Sequence, residues 1–348
     1  MHNKGENMKA DIAIVIGRFA PFHKGHKSLV DKAFSEAHKV IVVLGSATES
    51  RSTTNPFTAS ERQTMIEAVY PDSNISFIHL PDSNYDNPSW CEYLSESVKE
   101  VTEESDTIKL LGHFKDHSSF YLNHFPQWEL VEAENFEKGL SATEIRSSYF
   151  FGEDLWKEQV PKEVYEWLKY FSEYKYSYYN YLKEWFSTNQ KKYIKPWAFA
   201  PYTPTFQTGD AMVLCNNHIL IITRKDHPGK GQLAMPGGFL EPHESIRNCA
   251  LRELNEEAGI DVPMDVLHDS IVERENFDLP GRDTRGRFIT ECYVLEIEGY
   301  KELPLITAQD DALAVQWMPI SQLKNMDGMF YADHLRIIRY FLKEKLAR

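Results

Sequence analysis

The chain has 348 residues, 42% of them hydrophobic and 26% charged, with a net charge of −14. That length suits two domains, each large enough to bury its own core. The acidic balance without a Lys/Arg run speaks against nucleic-acid or membrane partners, and no apolar stretch reaches the length of a membrane span.

The start MHNKGENMKA lacks the apolar region of a signal peptide. Cys91, Cys215, Cys249 and Cys292 show no CxxC spacing, so neither a zinc site nor a disulfide framework is expected. A reducing cytoplasm is the expected compartment.

From the amino end, Asp11 to Ile16 reads as an apolar strand closing on Gly17. The segment Arg18-Phe19-Ala20-Pro21-Phe22-His23-Lys24-Gly25-His26 follows, then a helical stretch to about Ala37. Val40 to Leu44 is a second strand, ending in Gly45-Ser46. Strand, loop, helix and strand in so short a span make a βαβ unit. Further strands are expected at Ile75–Leu80, Thr107–Leu111 and Glu129–Ala133, and Thr58 with Glu61 forms a capping box for a helix between them. The alternation predicts an α/β, doubly wound parallel sheet, which binds ligands beyond the carboxyl ends of its strands.

The first βα loop holds two histidines of the form His-x-Gly-His, His23 and His26, preceded by Gly17-Arg18-Phe19. In that position the pattern resembles the nucleotidyltransferase superfamily, which joins a nucleotide to a phosphate or acid and releases pyrophosphate. Backbone N–H groups at a helix start suit phosphate, and two imidazoles reach the same charge. Asn55-Pro56-Phe57-Thr58-Ala59-Ser60-Glu61-Arg62 and Ser141-Ala142-Thr143-Glu144-Ile145-Arg146 look like the archaeal type of nicotinamide mononucleotide (NMN) adenylyltransferase. The resemblance covers about residues 10 to 172. It implies ATP phosphates held at Ser141, Thr143 and Arg146, with Gly17, Arg18, Phe19, Gly25 and Arg51 in the nucleotide site. It also places Trp90 against the nicotinamide ring, where a pyridinium over an indole face is a favourable cation–π arrangement; core packing is the plain alternative for this tryptophan.

Pro161 to about Thr188 is helical and rich in aromatics, among them Trp167, Tyr170, Phe171, Tyr174, Tyr178 and Trp185. Core packing between domains accounts for them, and a homo-oligomer contact is the alternative. Pro196, Pro201 and Pro204 then break the helical pattern. The expected organisation is residues 1–187 as the first domain with its connecting helices, 188–204 as linker and 205–348 as the second domain.

From Asp210 the pattern becomes strand-rich. Met212–Cys215 and Ile219–Thr223 flank Asn216-Asn217-His218 as a hairpin, and strands are expected near Val266–Arg274, Phe288–Glu296 and Leu313–Trp317. A last amphipathic helix is expected from about Tyr331 to Leu346. Between them Ser245 to Ala258 reads as a helix stopping at Gly259. Ile246, Ala250, Leu254 and Ala258 form its apolar stripe, and Glu253, Glu256 and Glu257 cluster on the adjoining face. Like charges at that spacing repel unless a cation sits among them, and hard oxygen ligands suit Mg²⁺ or Mn²⁺. Arg252 can hold a carboxylate through its planar fork.

Gly238, Glu244, Arg252, Glu253, Leu254, Glu256, Glu257, Gly259 and Ile260 stand at every offset of the box of the Nudix hydrolases, so this half is identified as a member of that family. The resemblance implies an α/β/α domain with a mixed sheet. Gly237 and Gly238 are expected to let a pyrophosphate approach. The loop Phe277 to Arg285 resembles a segment of ADP-ribose-hydrolysing Nudix proteins and their regulator relatives, which makes Arg282 and Arg285 candidates for phosphate or ribose contacts. The proline that often marks ADP-ribose hydrolases is not at its usual offset, since Pro280 comes later. Glu291, Asp310 and Asp311 are candidates for the general base.

The combined resemblance implies an enzyme of NAD metabolism that uses ATP, NMN and ADP-ribose with Mg²⁺ or Mn²⁺. Its residues in chemistry would be His23, His26 and Arg146 in one half and Arg252, Glu253, Glu256 and Glu257 in the other. Two other readings stay open: a different phosphate acceptor, such as pantetheine phosphate or a sugar phosphate, or a Nudix half that only senses its ligand.

Overall fold

The computed structural model describes residues 9–85, 87–112, 124–133 and 140–343. The chain divides into two compact units, Met1–Lys183 and Glu184–Ala347.

The first unit runs β1 (Ala10–Gly17), α1 (Lys24–Glu36), β2 (Ala37–Leu44), α2 (Ala59–Val69), β3 (Ile75–His79), α3 (Asn87–Lys99), β4 (Ile108–Gly112), β5 (Glu129–Glu132), α4 (Ala142–Phe151), α5 (Trp156–Gln159) and α6 (Lys162–Tyr174). The strands lie in the order β3-β2-β1-β4-β5, and each neighbouring pair is parallel. Consecutive apolar residues, Ile12 to Val15 and Val40 to Leu44, are buried along the central strands, as a sheet covered on both faces requires. Strand order reverses at β1, so the crevice for a ligand opens where the chain leaves β1 and β4 for opposite sides. Each of the five strands falls within a few residues of its expected position.

The helical stretch expected over residues 161–188 resolves into α6 and α7 (Tyr176–Thr188), broken at Lys175. Its aromatics divide by face. Phe171 is buried and meets Phe57 edge-on at 5.2 Å between ring centroids, whereas Tyr170, Tyr174, Tyr176 and Tyr178 are exposed. The end of α7 belongs to the second unit: Trp185 is buried there and donates from Nε1 to Thr284 Oγ1 at 3.2 Å. A π turn (Asn189–Ile194) follows, in which Asn189 Nδ2 donates to both the carbonyl and the hydroxyl of Thr284.

The second unit continues with β6 (Thr205–Cys215), β7 (His218–Arg224), β8 (Leu233–Ala234), β9 (Gly237–Phe239), α8 (Ile246–Ala258), α9 (Met264–Asp269), β10 (Ile271–Phe277), β11 (Arg287–Glu296), β12 (Ala312–Pro319) and α10 (His334–Phe341). Its sheet is mixed, in the order β10-β11-β6-β7-β12, with β8 paired to β7 and β9 to β6. Asn216 and Asn217 both take left-handed φ and close the β6–β7 hairpin in two residues, the geometry that matches strand twist.

Two expected elements differ. Residues 266–269 belong to α9 and not to a strand: Pro263 presets the backbone before the helix and Asp265 favours its first turn. The last helix starts at His334, later than Tyr331, because Tyr331 N–H is engaged by the Leu233 carbonyl at 2.8 Å and Ala332 adopts φ 46°. Leu346, expected on its inward face, lies outside the described residues. Among the described residues no helix is long and apolar enough to cross a membrane.

Candidate active sites

In the first unit the two histidines build the start of α1. His23 is the N-cap; its Nδ1 accepts the His26 N–H and His26 Nδ1 accepts the His23 N–H, both at 3.3 Å. This is a capping box made of two imidazoles in place of the usual hydroxyl and carboxylate. The rings stack with centroids 3.6 Å apart, and Phe19, 1% exposed, packs edge-on against His26 at 4.8 Å. Because each Nδ1 is an acceptor, each neutral ring carries its proton on Nε2. The helix start therefore carries two Nε2–H donors fixed by the backbone itself, with Gly25 in the turn between them.

Arg146, on α4, is 6% exposed and reaches back to this loop. It donates to Ala20 O at 2.8 Å, Thr53 O at 3.0 Å and Thr143 Oγ1 at 3.1 Å. Burial, with the nearby Arg18 charge, lowers its pKa to about 10, so it stays cationic at neutral pH. Ser141 is the N-cap of α4, and its side chain makes no capping hydrogen bond; the N–H groups of that helix start are suited to an anion. Arg18 is exposed.

Other expected residues are committed elsewhere. Arg51 forks onto Glu61 at 2.7 and 2.8 Å, donates to Pro56 O and lies over the Tyr178 ring at 4.6 Å. Its charge thus braces the Thr58–Glu61 cap of α2, which is present as expected. Trp90 donates from Nε1 to Pro81 O at 3.0 Å and packs on the cluster of Ile14, Val43, Leu80 and Leu94. Core packing is thereby part of what Trp90 does.

In the second unit α8 begins at the Ser245 N-cap, whose Oγ accepts the Asn248 N–H, and ends on Gly259 with φ 45°. Arg252 gathers the glutamates. It forks onto Glu244 at 2.7 and 3.1 Å and donates to Glu253 and Glu256, each at 2.8 Å. Glu257 is 3% exposed and accepts the Gly237 N–H at 3.0 Å. Burial first, then the neighbouring Glu253 charge, push its pKa up to about 8, and burial likewise raises that of Glu253. The paired glycines have a structural reason of their own: a Cβ on Gly238 would stand 2.2 Å from Glu253 Oε1, and one on Gly237 2.0 Å from Asp210 Oδ1. They let β9 lie directly on two carboxylates.

These groups face a cavity of about 370 Å³ lined also by Arg224, Arg282, Asp283, Arg285, Asp310 and Asp311. Glu291 is not among its lining residues, and its carboxylate pairs with Arg274 at 2.8 Å. Arg282 is paired with the buried Asp333 at 2.7 Å, and Arg285 with the buried Asp283 at 2.6 Å. Burial opposes the Asp283 charge, yet Arg285 holds its pKa down to about 2. Both arginines are thus largely neutralised wall residues, and Arg285 also lies 4.2 Å over the Phe288 ring. Arg224 forms no ion pair among the described residues; it donates to Pro228 O and lies over the Tyr331 ring at 4.4 Å. Tyr193, from the π turn, completes the wall.

Sequence reasoning did not single out Asp210, Arg224, Asp283, Tyr193 or Tyr331. Tyr193 lay within the expected linker, and Asp210 and Arg224 are isolated polar residues on apolar strands. The last pattern was a usable signal, since a charge on a buried strand needs a partner.

A divalent cation fits the carboxylate helix. Among the described residues no three acidic, His or Cys side chains already converge on one point, because Arg252 draws Glu253 and Glu256 to itself. Yet Glu253 and Glu257 are largely buried carboxylates whose burial disfavours the charged form, the condition that a hard cation relieves.

The two geometries define an α/β protein with helix starts suited to an anion in one unit and a cavity lined by carboxylates and arginines in the other. Comparison with known proteins agrees. A cytidylyltransferase-like family model matches residues 14–148 and a NUDIX domain model residues 205–341. Over 168 residues the chain is 37% identical to a nicotinamide/nicotinic acid mononucleotide adenylyltransferase of Acinetobacter baylyi, spanning 47% of this chain and 88% of that one. It is similar to the crystal structure of a bifunctional NMN adenylyltransferase/ADP ribose pyrophosphatase from Francisella tularensis, with TM-score 0.90 and 34% identity over 97% of this chain and 100% of the other. A second such structure from that organism, complexed with AMP and Mn ion, gives TM-score 0.89 and 33% identity over the same shares. The chain belongs to the family of bifunctional NMN adenylyltransferases/ADP ribose pyrophosphatases.

Proposed function

We propose that the first unit transfers AMP from ATP to NMN, giving NAD and pyrophosphate, and that the second hydrolyses ADP-ribose to AMP and ribose 5-phosphate. The observation that carries the first half is the reciprocal His23–His26 cap, which fixes two Nε2–H donors at a helix start in the strand-end crevice. The NMN phosphate oxygen attacks the α-phosphorus of ATP in line, and the bond to the β-phosphate oxygen breaks. The leaving pyrophosphate gathers negative charge, which His23, His26, Arg146 and the α4 N-terminus stabilise. No covalent intermediate is needed, since positioning and charge stabilisation carry such a transfer.

In the second unit Arg252 positions the glutamates, and Glu253, Glu256 and Glu257 would hold the cation. When bound, Mg²⁺ or Mn²⁺ supplies charge stabilisation at the diphosphate and lowers the pKa of water. Asp310 or Asp311 takes the proton of the attacking water. The fork on Glu244 keeps Arg252 from swinging into the diphosphate. Three carboxylates gathered on a cavity favour turnover over a sensing role, because binding alone does not require them.

ADP-ribose and NAD differ at the distal ribose, where NAD carries a bulky cation and ADP-ribose a hydroxyl. Steric exclusion, with Arg224, which forms no ion pair among the described residues, and with Arg282 and Arg285 shaping the wall, favours ADP-ribose. The check is kcat/KM for both compounds on one preparation, with Mg²⁺ and with Mn²⁺. Turnover of ADP-ribose with NAD largely spared is expected; equal values, or no turnover of ADP-ribose with either metal, would remove this assignment.

A further inference from the structure

Arg62 is 0% exposed and forms no ion pair among the described residues. Its guanidinium is surrounded instead by backbone carbonyls. Nη1 donates to Arg18 O at 2.5 Å and to Gly45 O at 2.7 Å, Nη2 to Ser46 O at 3.2 Å, and Nε to Thr58 O at 3.3 Å. One buried cation on α2 thereby ties together the loops that leave β1 and β2. Taking a guanidinium out of water against uncharged acceptors is costly. Burial lowers its pKa to about 10, although the Asp82 carboxylate works the other way, and the group stays charged at neutral pH.

The residues that follow two of those carbonyls are unusual. Phe19 has φ 50° and Ser46 φ 51°, both left-handed without being glycine. Such residues are strained and persist only where their surroundings hold them. In a trans peptide the N–H points opposite to the C=O. Arg62, by taking the Arg18 and Gly45 carbonyls, therefore turns the Phe19 and Ser46 N–H groups away from itself, and neither N–H has an acceptor among the described residues. Phe19 in turn sets its ring edge-on against His26, and the Ser46 hydroxyl donates to Asp82 at 3.0 Å. Arg146 grips the same loop two residues on, at Ala20 O.

We infer that Arg62 is a positioning residue for adenylyl transfer: it holds the Arg18–Phe19 and Gly45–Ser46 peptides so that their two N–H groups, and through Phe19 the His26 imidazole, present donors to the phosphates in the crevice. It touches no substrate itself. A lysine cannot replace it, because one ammonium does not span carbonyls from two loops with a planar fork. The inference rests on the adenylyl-transfer reading of this unit.

The test uses the full chain as wild type, Arg62→Lys and Arg62→Ala, assayed for NAD formed from ATP and NMN. For Arg62→Lys, kcat falls at least about tenfold while the KM for NMN stays within about threefold, the pattern of an interaction made only in the transition state. For Arg62→Ala, low millimolar guanidinium chloride restores part of the rate and equal sodium chloride does not. Far-UV spectra and melting follow folding of every variant. If Arg62→Ala does not fold, the lysine variant decides. A folded Arg62→Lys with wild-type kcat overturns the inference, as does a rate that falls only in step with the folded fraction. Wild type that makes no NAD would instead remove the functional reading on which the inference stands.

Discussion

His23 and His26 cap one helix by exchanging backbone hydrogen bonds through their Nδ1 atoms, at 3.3 Å in both directions. The two nitrogens of each ring thus differ: Nδ1 accepts a backbone N–H at the helix start, and Nε2 carries the proton of the neutral ring.

That division can be separated by substitution. In His23→Asn the side-chain oxygen can still accept the His26 N–H, since Asn is a favoured N-cap. The Nε2–H donor is lost. We expect the melting temperature to stay near wild type while kcat for NAD formation falls by about 10²–10³, the range for losing one charge-stabilising donor. His23→Ala should lose both, with about 1 kcal/mol of added destabilisation from the missing cap. Wild-type turnover in a stable His23→Asn protein would remove His23 from the chemistry.

Trp90 packs on the core of its unit, and a stacking role on the pyridinium would come in addition. Trp90→Phe keeps an aromatic face but not the Nε1–H bond to Pro81; Trp90→Ala keeps neither. If the indole stacks on the pyridinium, Trp90→Ala weakens NMN by about 0.5–2 kcal/mol, while ATP is much less affected and Trp90→Phe retains most of the NMN affinity. Substrate affinities from initial-rate kinetics decide. Equal weakening of both substrates, together with a lower melting temperature, would leave core packing as the whole role.

The sheets, the crossover helix and the motifs of both families were legible because their signals are local. Apolar runs bounded by Gly17 and Gly45 mark strands, and the Thr58–Glu61 and Ser245–Gly259 ends mark helices. What a charged side chain does with its partners was not local. Arg51, Arg282 and Arg285 stood in the sequence as candidates for substrate contacts, yet each meets a carboxylate in the fold, and for Arg282 that is Asp333, fifty-one positions away. Residues 266–269 showed the same limit, since short apolar runs do not distinguish helix from strand.

Burial gives the second unit a pH signature. His334 is buried, and its Nδ1 accepts the Met235 N–H at 3.2 Å; burial lowers its pKa, with Arg282 and Arg224 adding to this and Asp210 and Asp333 opposing it. The folded protein therefore protonates His334 later than the unfolded chain, whose histidine titrates at about 6.5. Its contribution to stability is full above that pH and is lost as pH falls from there through the lowered folded value. Glu257, raised by burial, acts in the opposite direction, so the informative quantity is a difference. Urea midpoints for loss of ADP-ribose hydrolysis at pH 7.5 and 5.5 should drop on acidification by more in wild type than in His334→Gln. Identical drops would show that His334 is not the group responsible.

The central claim is that one chain carries two independent phosphate chemistries, each on its own core. The most direct measurement is reciprocal: NAD formation and ADP-ribose hydrolysis assayed on wild type, His26→Ala and Glu257→Gln from matched preparations. The account predicts that Glu257→Gln abolishes metal-dependent hydrolysis with adenylyl transfer near wild type, and that His26→Ala does the reverse. Loss of both activities in a folded Glu257→Gln protein would contradict it.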